Sequence, residues 1–328
     1  MAGSQNTTNT NAFIEAQQYS AFILSQMHDG MLPQSFWRNV SDFGNGTTLN
    51  IKSVGSATIQ EVSEETPVIY NPIDTGNVQL TISDYVGDAW SVTDILRQDG
   101  SQIEALMAMR GMEATRAIQE HFETRLFEVL DAAQTADSNN QINGFSHRAV
   151  ASGSNDTLTQ ADIVDMKLAF DKAHVPQGGR IAIVDPVVEA TLNKLVTITS
   201  SRDLGYNPQF QSALENGFAR DHKFLFNWFG FDFYTSNRLA SPADTALPEM
   251  GGSNATDVSS GYVSNIFMCI ADDNCRPAMA AWRQMPSVEG ERNKDLARDE
   301  FVTRARWGVG VQRLDTLGII CSSATATA

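Results

Sequence analysis

Residues 175–186 read VPQGGRIAIVDP, and they hold the chain's best candidate for chemistry: a glycine pair beside Arg180, an apolar run, then Asp185-Pro186. A loop that cradles phosphate needs the order strand, glycines, helix, because the helix N-terminus must aim its free N–H groups at the anion. The order here is helix, glycines, strand. Gly178 and Gly179 follow a helical pattern that ends near His174, where glycine serves as cap and turn residue. Ile181–Val184 lacks polar alternation, as in a strand covered on both faces. Asp185 then stands at the N-cap and Pro186 at the first position of the next helix. A carboxylate there competes with any phosphate. The stretch is structural punctuation.

The other reactive side chains do not gather into a set. His28, His121, His147, His174 and His222 are scattered, with no two at metal-ligand spacing. Cys269 and Cys275 flank IADDN, but a thiol with two loop carboxylates is no recognised ligand set, and Cys321 stands apart. With no CxxC pair, neither a disulfide framework nor a thiolate zinc site is indicated, and folding in a reducing cytoplasm is the simpler reading. No Gly-x-Ser-x-Gly elbow occurs. The aromatic stretch NWFGFDFY is placed as a core strand rather than a base-stacking one, since Asp232 interrupts it and no basic residue leads it. The residues point to no catalytic, cofactor or metal site.

Charge narrows the partners. Lys and Arg number 23 against 39 Asp and Glu, a net charge of -16, which repels phosphate backbones. One segment departs from this: between Arg276 and Asp315, eight basic residues face six acidic ones. Interleaved signs of this kind suit salt bridges across subunit contacts better than a phosphate track. The leading MAGSQNTTNTN is polar and uncharged, unlike a signal peptide. No apolar run approaches the roughly 20 residues that span a bilayer.

The elements that carry these residues follow from periodicity. Phe13, Ala16, Tyr19 (or Ser20), Ile23 and Met27 recur at helical spacing and predict a short amphipathic helix ended by Asp29-Gly30, docked on its own domain, with a neighbouring subunit as the alternative. From Thr47 the period becomes two: Leu49 and Ile51, then Val78, Leu80 and Ile82, predict two strands joined by the acidic stretch EVSEETPVIYNPIDTGN. A lone two-stranded ribbon has too little core and needs something to lie on, which points to a partner surface. The longest helical pattern starts at about Ser91 or Ser101 and runs to Ala133, with Ile103, Leu106, Ile118, Phe122, Leu126 and Leu130 on one stripe. A second helix is expected over Thr159–Ala173 and a third over Asp185–Val196, with residues 200–217 polar and mixed. Phe224–Tyr234 reads as strand, 237–262 as a long exposed loop, and strands return at SNIFMCIA and RARWGVGVQRLDTLGII.

This order of elements, with VPQGGRIAIVDP, the strand Gly230–Asn237 (GFDFYTSN) and the closing Trp307–Asp315 (WGVGVQRLD), resembles the major capsid proteins of tailed bacteriophages, podovirus-like, with an α+β fold of the Hong Kong 97 type. The resemblance spans nearly the whole chain and rests on order and spacing together, each motif being weak alone. It implies a structural subunit, not an enzyme, that forms hexamers and pentamers of an icosahedral shell around double-stranded DNA. Residues 1–46 would be an N-terminal arm, 47–93 an extended two-stranded loop, 94–150 a peripheral domain with a spine helix, and 151–290 an axial domain. Residues 291–328 would return to the peripheral domain and end in a tail. It also implies a separate scaffolding protein, a portal protein, and a place in the virion capsid after assembly in the host cytoplasm. Some members cross-link a loop lysine to a neighbour's asparagine; Lys52, the only lysine before Lys167, lies at the root of the loop, so cross-linking is not expected. Inter-subunit contacts are expected from Lys52, Glu61, Glu64 and Glu65 on the loop and from Arg304 and Arg306. The rival readings are an encapsulin-like compartment shell and a soluble α/β enzyme.

Overall fold

The computed structural model describes residues 31–327 apart from 42–45, 101–102, 135–140, 196–223 and positions 56, 58, 65, 66, 68, 74 and 253. The helical pattern at 13–27, the stretch 200–217 and Glu65 therefore lie outside the described residues. In chain order the elements are β1 (Arg38–Asn39), β2 (Thr48–Val54), β3 (Thr75–Thr81), β4 (Asp84–Thr93), α1 (Asp94–Asp99) and α2 (Ile103–Ala133). Then follow β5 (Gln141–Ile142), β6 (Phe145–Ser146), β7 (Arg148–Val150), α3 (Gln160–Lys172), β8 (Arg180–Val184) and α4 (Pro186–Leu195). The remainder is β9 (Phe224–Trp228), β10 (Phe231–Thr235), β11 (Leu247–Pro248), β12 (Ala255–Thr256), β13 (Tyr262–Cys269), β14 (Ala278–Asn293), β15 (Arg298–Val311) and β16 (Leu317–Ser323).

Two sheets dominate. One has six strands in the order β7-β16-β13-β8-β10-β9, the other four in the order β1-β14-β15-β4. The apolar run Ile181–Val184 is β8, inside the six-stranded sheet, and it is buried throughout. Its alternate residues serve two cores, as the strand period requires. Ala182 and Val184 join Ile163, Met166 and Phe170 of α3 and Val188 and Leu192 of α4. Ile181 and Ile183 join Ile118, Phe122 and Leu126 of α2, with Ala280 and Trp307 of the four-stranded sheet.

The punctuation around β8 is legible with one change. Thr159 and Asp162 form a capping box at the start of α3, with Thr159 N–H donating to Asp162 Oδ2 over 2.8 Å. At its end the left-handed residue is His174 (φ 59), and Val175 N–H returns to Phe170 O at 3.0 Å. The expected glycine stop is thus a histidine, a residue that tolerates this conformation better than most. Gly179 (φ 68) serves the later turn into β8, where a Cβ would lie 2.9 Å from the backbone of Ala271. Asp185 caps α4 as expected, accepting from Val187 N–H at 2.9 Å, while burial raises its carboxyl pKa.

The 31 residues of α2 reach about 46 Å at 1.5 Å per residue. Its buried positions, from Ala114 to Leu130, lie in the C-terminal two thirds, whereas Leu106 and Met112 remain 49% and 67% exposed. Residues 84–93 are not part of the extended loop; they form β4, paired along its length with β15. Nor does the segment from 278 belong with the six-stranded sheet. β14 spans 278–293 in the four-stranded sheet, so the expected boundary at 290/291 falls inside one strand, and β16 returns to the six-stranded sheet instead. The segment 237–262 is no exposed loop either: Leu247 and Val258 are fully buried with Val150, Ile319 and Cys321. The aromatic stretch divides into the hairpin β9–β10 at Phe229 (φ 49) and Gly230 (φ 84), the twin positive φ of a tight hairpin turn.

The ribbon β2–β3 pairs from Thr48↔Thr81 to Val54↔Thr75. The surface under the ribbon is not the expected partner's but its own four-stranded sheet: Leu80 and Ile82 pack with Met279 and Ala281, joined by Leu49, Ile51 and Val78. Gly308 makes this crossing possible, since a Cβ there would meet the Thr81 carbonyl and come within 2.7 Å of Ile82 Cα.

Candidate assembly surfaces

Two arginines, Arg148 buried on β7 and Arg238 half-buried just after β10, lock α2 to the six-stranded sheet and its connections. Arg148, 3% exposed, donates Nη1–H to Asp131 Oδ1 on α2 at 2.8 Å. Its other edge grips Asp244 through Nε and Nη2 at 2.9 and 2.5 Å. Ser264 on β13 donates to the same Asp131 oxygen at 2.6 Å. One turn and more earlier on the helix, Arg238 binds Glu123 and Glu120 at 3.0 Å each. Charge-assisted bonds of this kind are short and directional, and buried carboxylates require them. The Arg238 pairs span 115 and 118 residues and Arg148–Asp244 spans 96, so no local pattern announces them.

A second network ties the far end of the four-stranded sheet to α1. Arg292 on β14 holds Asp94 through two bonds of 2.5 and 2.6 Å and Asp299 at 3.0 Å, while Arg97 reaches Asp299 at 2.9 Å. The hydrogen bond from Arg292 holds the Asp94 carboxyl below the usual carboxylate range. Arg298 is likewise engaged with Glu300 at 2.7 Å. Part of the basic segment expected to cross subunits is therefore satisfied inside its own chain.

The predicted contact residues divide accordingly. Lys52 is exposed on β2 opposite Asn77. Glu61 and Glu64 are exposed on the loop between β2 and β3. Arg304 is exposed and Arg306 half-buried on β15, opposite Ser287 and Gln284. Among the described residues none of these five has an ion-pair partner, and the fold does not bring the loop acids onto the two arginines.

Sequence reasoning noticed the acids of the loop and overlooked its oils. Ile59, Tyr70 and Ile73 are 95%, 94% and 77% exposed, and Val62 and Ile69 are close behind. The loop is nevertheless organised: Gln60 donates to Ile69 O at 2.6 Å and accepts from Ile69 N–H at 3.2 Å. Contiguous exposed apolar side chains of this size mark an interaction surface. A second apolar surface lies between α2 and the four-stranded sheet, a groove of about 840 Å3 lined by Trp90, Met107, Gly111, Met112, Val288 and Phe301 among others. Neither surface presents acid–base or nucleophilic groups, and among the described residues no cluster of His, Cys, Asp and Glu could hold a metal ion. No described helix is long and apolar enough to cross a membrane.

A family model described as phage capsid protein matches residues 77–322. The chain belongs to that family. Solved shells share its fold along nearly the whole length. The protein of Mycobacterium phage Che8 is 16% identical with a TM-score of 0.62, covering 94% of this chain and 97% of its own. The mature capsid of bacteriophage PhiM1 gives 12% and 0.68, over 95% and 93%. The capsid of cyanophage Pam1 gives 15% and 0.63, over 99% and 100%. No curated protein matches by sequence. This capsid protein has the Hong Kong 97 type α+β fold, as the order of its motifs implied, and it is a structural subunit of the virion rather than an enzyme. The compartment and enzyme readings are not favoured.

Proposed function

We propose that this capsid protein builds the icosahedral shell of a tailed phage as hexamers and pentamers, with the loop at 55–73 laid over a neighbouring subunit. The observation that carries this reading is the loop itself. Five large apolar side chains stand in solvent on an organised arm whose root is packed on its own sheet. Fully burying such a side chain is worth about 1.5–3 kcal/mol, so a shell in which every loop is covered gains at every contact. The loop and whatever receives it are different patches, and such heterologous contacts close into rings.

In this reading the four-stranded sheet with α2 is the peripheral domain and the six-stranded sheet the axial domain, and the segment up to 46 is the arm. A separate scaffolding protein and a portal protein take part in assembly in the host cytoplasm, and the shell holds DNA without sequence preference. The unpaired Glu61 and Glu64, with Glu65, meet Arg304 or Arg306 of a neighbour; Lys52 lies at the same contact. Electron microscopy of the chain co-expressed with its scaffolding protein tests this. Replacing Ile59, Ile69 and Tyr70 by serine is expected to abolish shells while circular dichroism stays native. Changing Glu61, Glu64 and Glu65 to lysine is expected to impair assembly, and adding Arg304→Glu and Arg306→Glu to restore it. Normal shells from the serine variant, or a stable monomer of the parent chain despite scaffold, would overturn the proposal.

A further inference from the structure

The groove beside α2 has no occupant among the described residues, and its position singles one out. Met31 lies in its wall. From there Leu32, Phe36 and Trp37 are buried in the core with Ile118, Phe122 and Leu126, and the Trp37 ring meets Phe122 edge-on at 5.4 Å. The described chain therefore starts at the wall of the groove and is anchored immediately after it. We infer that residues 13–27 of the same chain fill this groove, laying the stripe Phe13, Ala16, Tyr19, Ile23 and Met27 along the exposed first half of α2.

Dimensions agree. The α2 side of the groove runs from Met107 to Gln119, about 18 Å, and 15 residues of helix measure about 22 Å. The three residues between Met27 and Met31 allow a span of up to about 13 Å. Charge agrees as well. Residues 1–30 contain Glu15 and Asp29 and no lysine or arginine, while the groove carries Arg116, exposed and without an ion-pair partner among the described residues.

Gly111 supplies a third argument. Glycine inside a helix is unfavourable relative to alanine, yet a Cβ here would meet only Val288 Cγ2 at 3.7 Å, an ordinary contact. Nothing in the described fold requires a glycine at this place. The missing side chain leaves room over the helix that an alanine narrows only slightly and a leucine fills.

The free subunit suffices for the test, so the outcome does not depend on shell formation. In hydrogen exchange of the full chain, amides of residues 13–27 are expected to exchange roughly tenfold or more slowly than unstructured chain. Gly111→Leu fills the groove floor while favouring helix; it is expected to remove that protection and to leave residues 118–130 protected, whereas Gly111→Ala keeps both. Ile23→Cys with Met112→Cys is expected to give an intramolecular disulfide, with each single variant as control. Unprotected residues 13–27 in the parent chain, protection that survives Gly111→Leu, or disulfides that form only between copies would each overturn the inference.

Discussion

Arg148 and Arg238 place four carboxylates and three elements in fixed relation, and both lie where no sequence window looks twice. Removing one partner of a buried pair strands the others, at a cost of about 3–5 kcal/mol. Arg148→Ala is expected to lose that much in chemical denaturation. Arg148→Lys should recover little, because an ammonium cannot grip Asp244 along one edge while holding Asp131. Tyr262 offers a test by pH. Its hydroxyl donates to Asp156 at 2.6 Å, and that bond, with some burial, pushes its pKa up to about 12. The neutral form is the bonded one, so its stabilising share is whole below the ordinary phenol pKa of about 10 and is lost as pH rises through about 12. Ultraviolet titration should show a tyrosine titrating near 12 that is lost in Tyr262→Phe. At this scale the sequence was readable where a residue's duty is local: Asp185 caps its helix and Pro186 opens it as foreseen. It was unreadable where the duty spans the chain, as in Arg238 meeting Glu120.

The elements show a similar division. Helices α2, α3 and α4 were visible because a helix carries its own hydrogen bonds and its stripe repeats within a few turns. Strands β4 and β14 were missed for definable reasons. In β4, Asp84, Gly87 and Asp88 dilute an alternation that the structure does display, with Val86, Trp90 and Val92 on the more covered face. In β14, Pro286 and Gly290 read as breakers, and the pairing with β15 indeed slips between Gln284 and Ser287. A bulge is where a strand accommodates a proline. The crossing of β3 over β15 makes the sharpest prediction for an element. Gly308→Val should drive the ribbon off its sheet and cost at least about 1–3 kcal/mol, seen as a lowered melting temperature and faster exchange in β2 and β3. An unchanged melting temperature would mean that the ribbon slides without penalty.

For the whole molecule, the order of motifs was enough to reach the family, but the strand order was not legible, since pairing partners are set by packing between distant segments. Nothing in LGIICSS tells that β16 lies between β7 and β13. That strand sends Ile320 into one core and Leu317 into the other. Deleting residues from 317 onward should therefore leave an aggregating chain without a cooperative thermal transition, whereas deletion from 325 should fold. The same placement has a consequence during synthesis. β7 and β13 reach the cytosol well before the strand that joins them, so a nascent chain carries a split sheet until residues 317–323 clear the ribosome. A subunit whose six-stranded sheet is still split offers a neighbour an unfinished surface, so competence to associate is expected only once β16 has joined β7 and β13.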